Sequence, residues 1–226
     1  MKPENCAIDF HYSFVSGIGP WDELHFVKAH QMRIEAFDIY TEEHMEIGKV
    51  EFLIIYLEQL VESAFHAYHV FDAYSEYLFE HMSKIFDGDN GMFTDEILDH
   101  YGGQIPRYNI CLIHEIQILP KFRGRNIGAQ AIKDLVFHYG AGCGLIVAQP
   151  YPMQFESKER IEENKPLELE QFTDDEEMAG YKLYAYYQRV GFQPIQGIDD
   201  LLFYNTSFRN DKLDELDLDE DVALKE

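Results

Sequence analysis

The residues best suited to chemistry lie in one short run. Lys121, Arg123 and Arg125 fall within five positions, interleaved with Gly124, Asn126 and Gly128. Glycine permits positive φ or a close backbone approach, and asparagine is the non-glycine residue that best tolerates the left-handed region. If this run joins a strand to a helix, the first N–H groups of the helix converge with partial positive charge, and the arginines add more. Such an arrangement binds an anion, typically a phosphate. The competing reading is an ordinary helix start with a basic turn. Two other candidates carry less. Asp87-Gly88-Asp89-Asn90-Gly91 resembles a calcium loop but has Met92 at the sixth position and Leu98 at the twelfth, where glycine and glutamate are needed, so it reads as a turn. His66 and His69 can share a helical face, yet no carboxylate or cysteine completes a metal site, and they read as structural.

The elements around the basic run have the required order. Tyr108 to Ile118 is rich in β-formers and ends at Leu119-Pro120, because proline cannot donate to a sheet ladder. After the loop, Ile127, Ala131, Leu135 and Phe137 or Tyr139 recur at helical spacing until Gly140-Ala141-Gly142, and Leu145 to Ala148 reads as the next strand. Strand, loop, helix and strand make a βαβ unit. Upstream, Ile8 to Phe14 alternates as a strand before a turn at Gly17–Pro20, and residues 31–40 and 48–57 form an antiparallel pair. Leu78, Met82, Ile85 and Phe86 predict a helix over Asp72–Asp87. Gln154 to Glu177 is polar and acidic and reads as a long connection to a helix over Glu176–Val190. Residues 192–208 supply closing β structure.

The run from Ile116 to Gly128 (IQILPKFRGRNIG) resembles the signature of the GNAT superfamily, in which an Arg/Gln-x-x-Gly-x-Gly/Ala loop cradles the pyrophosphate of acetyl-CoA. Asn126 stands where most members have glycine. Tyr184 to Phe192 (YAYYQRVGF) resembles a second element of that family, a helix ending in tyrosine, three residues, then Gly-Phe. The close likeness covers residues 112–152 and 179–193. It implies an α/β (α+β) fold: a GNAT-like mixed, mostly antiparallel sheet with flanking helices and a central strand–loop–helix acyl-CoA site. The implied activity is transfer of an acetyl group from acetyl-CoA to a primary amine by direct attack. The second reading is a non-catalytic acyl-CoA-binding or sensing module.

By the same resemblance Ile116, Ile118, Arg123, Gly124, Arg125, Asn126, Ile127 and Gly128 hold the cofactor, with pantetheine paired along Ile116 and Ile118 and oxyanion support from N–H groups near Ile118. Tyr187 maps to the general acid, and a core-facing aromatic stays open as the other reading because Tyr181, Tyr184 and Tyr186 are close by. The base falls at His114 or Glu115, and a bulge at this strand position could expose either one. An imidazole can accept a proton near neutrality, directly or through water. Gln149 to Gln154 either lines the acceptor pocket or forms a rigid strand exit.

Length and 46% hydrophobic content allow one domain, read as residues 1–209 with an acidic tail over 210–226, where eight acidic residues face Lys212 and Lys225. A formal charge of -24 excludes nucleic acid and favours a small-molecule or lysine-bearing amine, a cationic acceptor suiting the acidic surface. No stretch suits a membrane span, the N-terminus lacks a signal-peptide pattern, and Cys6, Cys111 and Cys143 have no metal-ligand spacing, so a reduced cytoplasmic protein without metal is expected. Exposed sheet edges in this fold class allow a homodimer.

Overall fold

A computed structural model describes residues 2–16, 23–208 and 210–215. The chain opens with β1 (Cys6–Phe14), β2 (Val27–Asp38) and β3 (His44–Ile55), then runs through α1 (Leu57–Val61), α2 (Ala67–Tyr74) and α3 (Glu76–Ile85). A small hairpin, β4 (Phe86–Asp87) and β5 (Met92–Phe93), and α4 (Asp95–His100) lead into β6 (Ile110–Ile118), α5 (Ile127–Tyr139) and β7 (Leu145–Ala148). Then come α6 (Lys158–Glu163), α7 (Glu176–Arg189), β8 (Gln193–Ile195), β9 (Ile198–Asn205) and α8 (Asp211–Asp214).

Seven strands form one sheet in the order β1-β2-β3-β6-β7-β9-β8. Every neighbouring pair is antiparallel except β6 with β7. That parallel pair needs a crossover, and α5 provides it. Both faces of the central strands are covered, which is why β6 and β7 read as continuous apolar runs. Cys111, Ile113, Ile146 and Ala148 point into a core with α5 and α7, while Ile110, Leu112, Leu145 and Val147 point into a second core with α1 to α4. The molecule is therefore a mixed sheet, mostly antiparallel, between two helical layers.

Several sequence expectations change. The helix expected over Asp72–Asp87 is two helices broken at Ser75, whose extended backbone (φ -171°, ψ 152°) stops α2 and whose hydroxyl accepts the Leu78 N–H to cap α3. Of the two residues left open for the end of the inner face of α5, Tyr139 packs inward as one alternative had it, and Phe137 is 80% exposed. The stretch 154–177 is not a bare connection. It carries α6 and three short 3₁₀ turns, and Leu167, Leu169 and Asn164 are buried. Asp87 to Gly91 is a turn, as expected, and closes the β4–β5 hairpin with Asp87 accepting the N–H groups of Asp89 and Asn90.

The packed structure also continues past residue 209. Asn210 caps α8 and donates to Gly191 O at 3.2 Å, Leu213 is buried in the α5 core, and Lys133 donates to Asp214 O at 2.8 Å. The turn expected at Gly17–Pro20 and the tail beyond Glu215 lie outside the described residues. Among the described residues no helix is long and apolar enough to cross a membrane.

Candidate functional site

The site begins where two strands part. β6 pairs with β7 only from Ile110–Leu145 to Ile113–Ala148, after which β6 runs on to Ile118 while the chain leaves β7 through Gln149 and Pro150. On its other side β6 stays paired with β3, but the register slips: Glu51 faces Glu115 and Phe52 faces Ile113, leaving His114 as the extra residue of a bulge. A bulge breaks the alternation of side chains. As a result consecutive residues His114 and Glu115 both line the cavity that opens between the parted strands. The cavity holds about 670 Å³. That volume is typical of a small-molecule or cofactor site.

One end of the cavity is built by the loop after β6. Pro120–Phe122 makes a 3₁₀ turn, Gly124 takes φ +74°, and Asn126 takes φ 55° and ψ 10° as the residue before α5. Asparagine therefore occupies the left-handed conformation for which its side chain is suited. The first-turn N–H groups of residues 127–129 have no preceding turn to bond, and the Asn126 side chain does not cap them. Gly124, Asn126, Ile127 and Gly128 all line the cavity. A Cβ added to Gly128 would lie 2.8 Å from Tyr186 Oη and 3.8 Å from Ile116 Cγ2, so this position is held close to both α7 and β6.

The two arginines behave differently from their expected role. Arg123 lines the cavity but its guanidinium is committed: Nε donates to Ile118 O at 2.9 Å, Nη2 donates to Leu167 O, and its carbon lies 4.7 Å over the Phe172 ring. It pins the 165–172 wall to the end of β6. Arg125 does not line the cavity; with Lys121 its charge acts on Cys6. The cation that sequence reasoning missed is Arg189. It lines the cavity, touches Asn126 Oδ1 at 3.5 Å, lies 5.4 Å over the Tyr186 ring, and has a buried Nε with no hydrogen-bond partner. Lys182 joins it on the same helix. Positions 179, 182, 183, 186 and 187 of α7 all face the cavity, a 3.6-residue stripe that periodicity in the sequence already contained.

Other lining residues carry the proton-active groups. Glu115 is buried and held: Arg160 Nη2 donates to its Oε2 at 3.0 Å, and the Gln117 amide donates to its Oε1 and, at 3.0 Å, to Asn164 Oδ1. Removing Arg160 would strand a buried carboxylate, so this pair anchors α6. His114 is exposed to the cavity, with the Tyr77 ring edge-on at 5.0 Å. Of the two expected bases, His114 has the freer side chain.

Sequence reasoning also missed Glu156 and Tyr77. Glu156 lines the cavity; its Oε2 lies 3.5 Å from Arg160 Nε yet accepts no hydrogen bond. Burial raises its carboxyl above the ordinary value, Arg160 and His114 oppose, and Glu115 reinforces the rise. No local signal separates Glu156 from the other acidic residues around it. Tyr77 comes from α3, far away in sequence, and burial pushes its phenol up to about 12.

Tyr187 is 5% exposed, packs on Phe192 at 5.3 Å, and still reaches the cavity. Its hydroxyl makes no hydrogen bond among the described residues. Burial, then Tyr186 and Tyr77, raises its phenol well above the usual value. Among the described residues no group of three or more His, Cys, Asp or Glu side chains is placed to hold a metal ion. Comparison with protein-family models, with curated proteins and with solved structures returns no match.

Proposed function

We propose that this protein is a GNAT-type acyltransferase that moves an acetyl group from acetyl-CoA to a primary amine. One observation carries the reading. β6 loses its parallel partner at a bulge and feeds a left-handed loop and a helix start, and that gap, the loop and Tyr187 line one cavity. This is the arrangement a long ligand with a phosphate end and a reactive thioester end requires.

The pyrophosphate sits on the N–H groups that start α5, with Arg189 beside it, while pantetheine runs along the freed stretch of β6 at Ile116 and Ile118. The Ile118 carbonyl already accepts from Arg123, so pantetheine pairing there uses other backbone groups. An alkylamine is mostly protonated at neutral pH, its pKa being about 10. His114 takes that proton, directly or through water, and Glu156 attracts the ammonium before it is lost. The neutral nitrogen attacks the thioester carbon, the C–N bond forms, the nitrogen gives up its second proton to solvent as the C–S bond breaks, and thiolate departs.

The raised phenol limits what Tyr187 does. A thiol has a pKa of about 8.5, so complete proton transfer from a weaker phenolic acid is uphill. Tyr187 therefore serves chiefly as a hydrogen-bond donor to the departing thiolate, which takes its proton from solvent. Buried as it is, that bond is stronger than it would be in water.

The test is CoA release from acetyl-CoA with a panel of primary amines, comparing wild type with His114→Gln. An enzyme of this kind shows amine-dependent release, and the variant lowers kcat about 10- to 100-fold at neutral pH. Release that no amine accelerates contradicts the proposal.

A further inference from the structure

A second hollow, of about 390 Å³, opens beside the main cavity and shares Gln149 and Tyr151 with it. Three tyrosines, Tyr151, Tyr181 and Tyr184, and two carboxylates, Asp199 and Asp200, line it. Gly180 also lines it, and a Cβ built there meets nothing within 4 Å, so space is left beside α7. Tyr151 Oη donates to Phe155 O at 2.9 Å, which fixes that ring. Asp200 accepts from Lys84 Nζ at 2.7 Å, whereas Asp199 is exposed and forms no ion pair among the described residues.

Aromatic faces attract cations through their quadrupoles, and an uncompensated carboxylate adds charge. No cationic side chain lines the hollow. Its two shared residues follow the end of β7, at the point where the strands part, so a chain held in the main cavity can continue into it. We infer that the hollow binds the distal ammonium of an aliphatic di- or polyamine whose other amino group is the one acetylated. This assignment rests on the transferase reading for the second amino group, and on the hollow's own lining for the first.

Binding separates the two. Spermidine, n-propylamine and a short lysine-containing peptide are titrated calorimetrically into the full chain without acetyl-CoA, and into the double variant Asp199→Asn/Tyr181→Ala. Both side chains are exposed, and Tyr181 is 70% so, which leaves the core untouched. Spermidine should bind at least about tenfold more tightly than propylamine, and the double variant should remove that advantage without changing propylamine. Equal spermidine affinity in the two proteins overturns the inference. If acetyl-CoA binds in that case, the transferase reading survives alone. If spermidine behaves as expected and acetyl-CoA does not bind, the cation site stands and the transferase reading falls. Peptide binding that depends on Asp199, with none by spermidine, overturns the small-polyamine assignment.

Discussion

Replacing Gly128 with alanine tests the contact that sets the start of α5 against α7. The new methyl would sit 2.8 Å from Tyr186 Oη. An ordinary heavy-atom contact needs about 3.5 Å, so the phenol must move by several tenths of an ångström. Tyr186 has little freedom, because its ring lies beneath Arg189 at 5.4 Å and against Tyr187 at 5.7 Å. Overpacking of this kind costs about 1–3 kcal/mol, while replacing glycine by alanine in a helix returns up to about 1 kcal/mol. The single variant should therefore be destabilised by roughly 0–2 kcal/mol. Tyr186→Phe removes the colliding oxygen, and in that background Gly128→Ala should stabilise by about 0.5–1 kcal/mol. Urea denaturation of the four proteins gives the coupling energy directly, expected at about 1–3 kcal/mol. Additivity within about 0.5 kcal/mol would refute the reasoning, since the glycine would then answer to something other than Tyr186.

Three further outcomes are expected. Tyr187→Phe should lower kcat about 10- to 100-fold while acetyl-CoA affinity stays the same, and because burial raises this phenol, wild-type kcat should show no loss from it between roughly pH 8 and 10. Steady-state rates across pH, with calorimetry beside them, check both parts. Glu156 has a folded carboxyl pKa raised above its unfolded value, so its ionised form costs stability above the folded pKa, and that cost disappears as pH falls below the ordinary range near 4.3. Glu156→Gln should accordingly raise Tm at neutral pH, with a gain that fades at acid pH; a gain independent of pH would count against this origin. Leu213→Ala should cost about 2–4 kcal/mol in chemical denaturation, as a core truncation does, whereas a loosely attached tail would give a change below about 0.5 kcal/mol.

The centre of the fold was legible because its signals are local. The strand over Ile110–Ile118, the left-handed Asn126, the helix from Ile127 and the strand over Leu145–Ala148 each follow from residue type, spacing and a proline or glycine stop. Between Leu57 and Asn109 the elements are short, and one extended serine divides two helices, so periodicity never runs long enough to set the boundaries. Burial in residues 164–169 was hidden for another reason. Those residues are covered by partners distant in sequence, Arg123 and Gln117 among them.

The candidate site shows the same division. Residue types and spacing pointed to the loop, and the resemblance added His114, Glu115 and Tyr187; all but Arg125 of the expected residues on the loop and helix start line the cavity. Side-chain direction was not available from spacing. It decides that Arg123 braces a wall, that Arg160 occupies Glu115, and that Arg189 reaches Asn126 of the loop while its Nε has no partner. Glu156 and Tyr77 reach the cavity only through tertiary packing.

Calorimetric titration of acetyl-CoA into the wild-type chain is the most direct test of the central claim. The expected result is one site per chain, competed by CoA and weakened about tenfold or more in Arg189→Ala, whose fold is checked by circular dichroism. An absence of binding heat in the wild type, with no competition by CoA, would contradict the account.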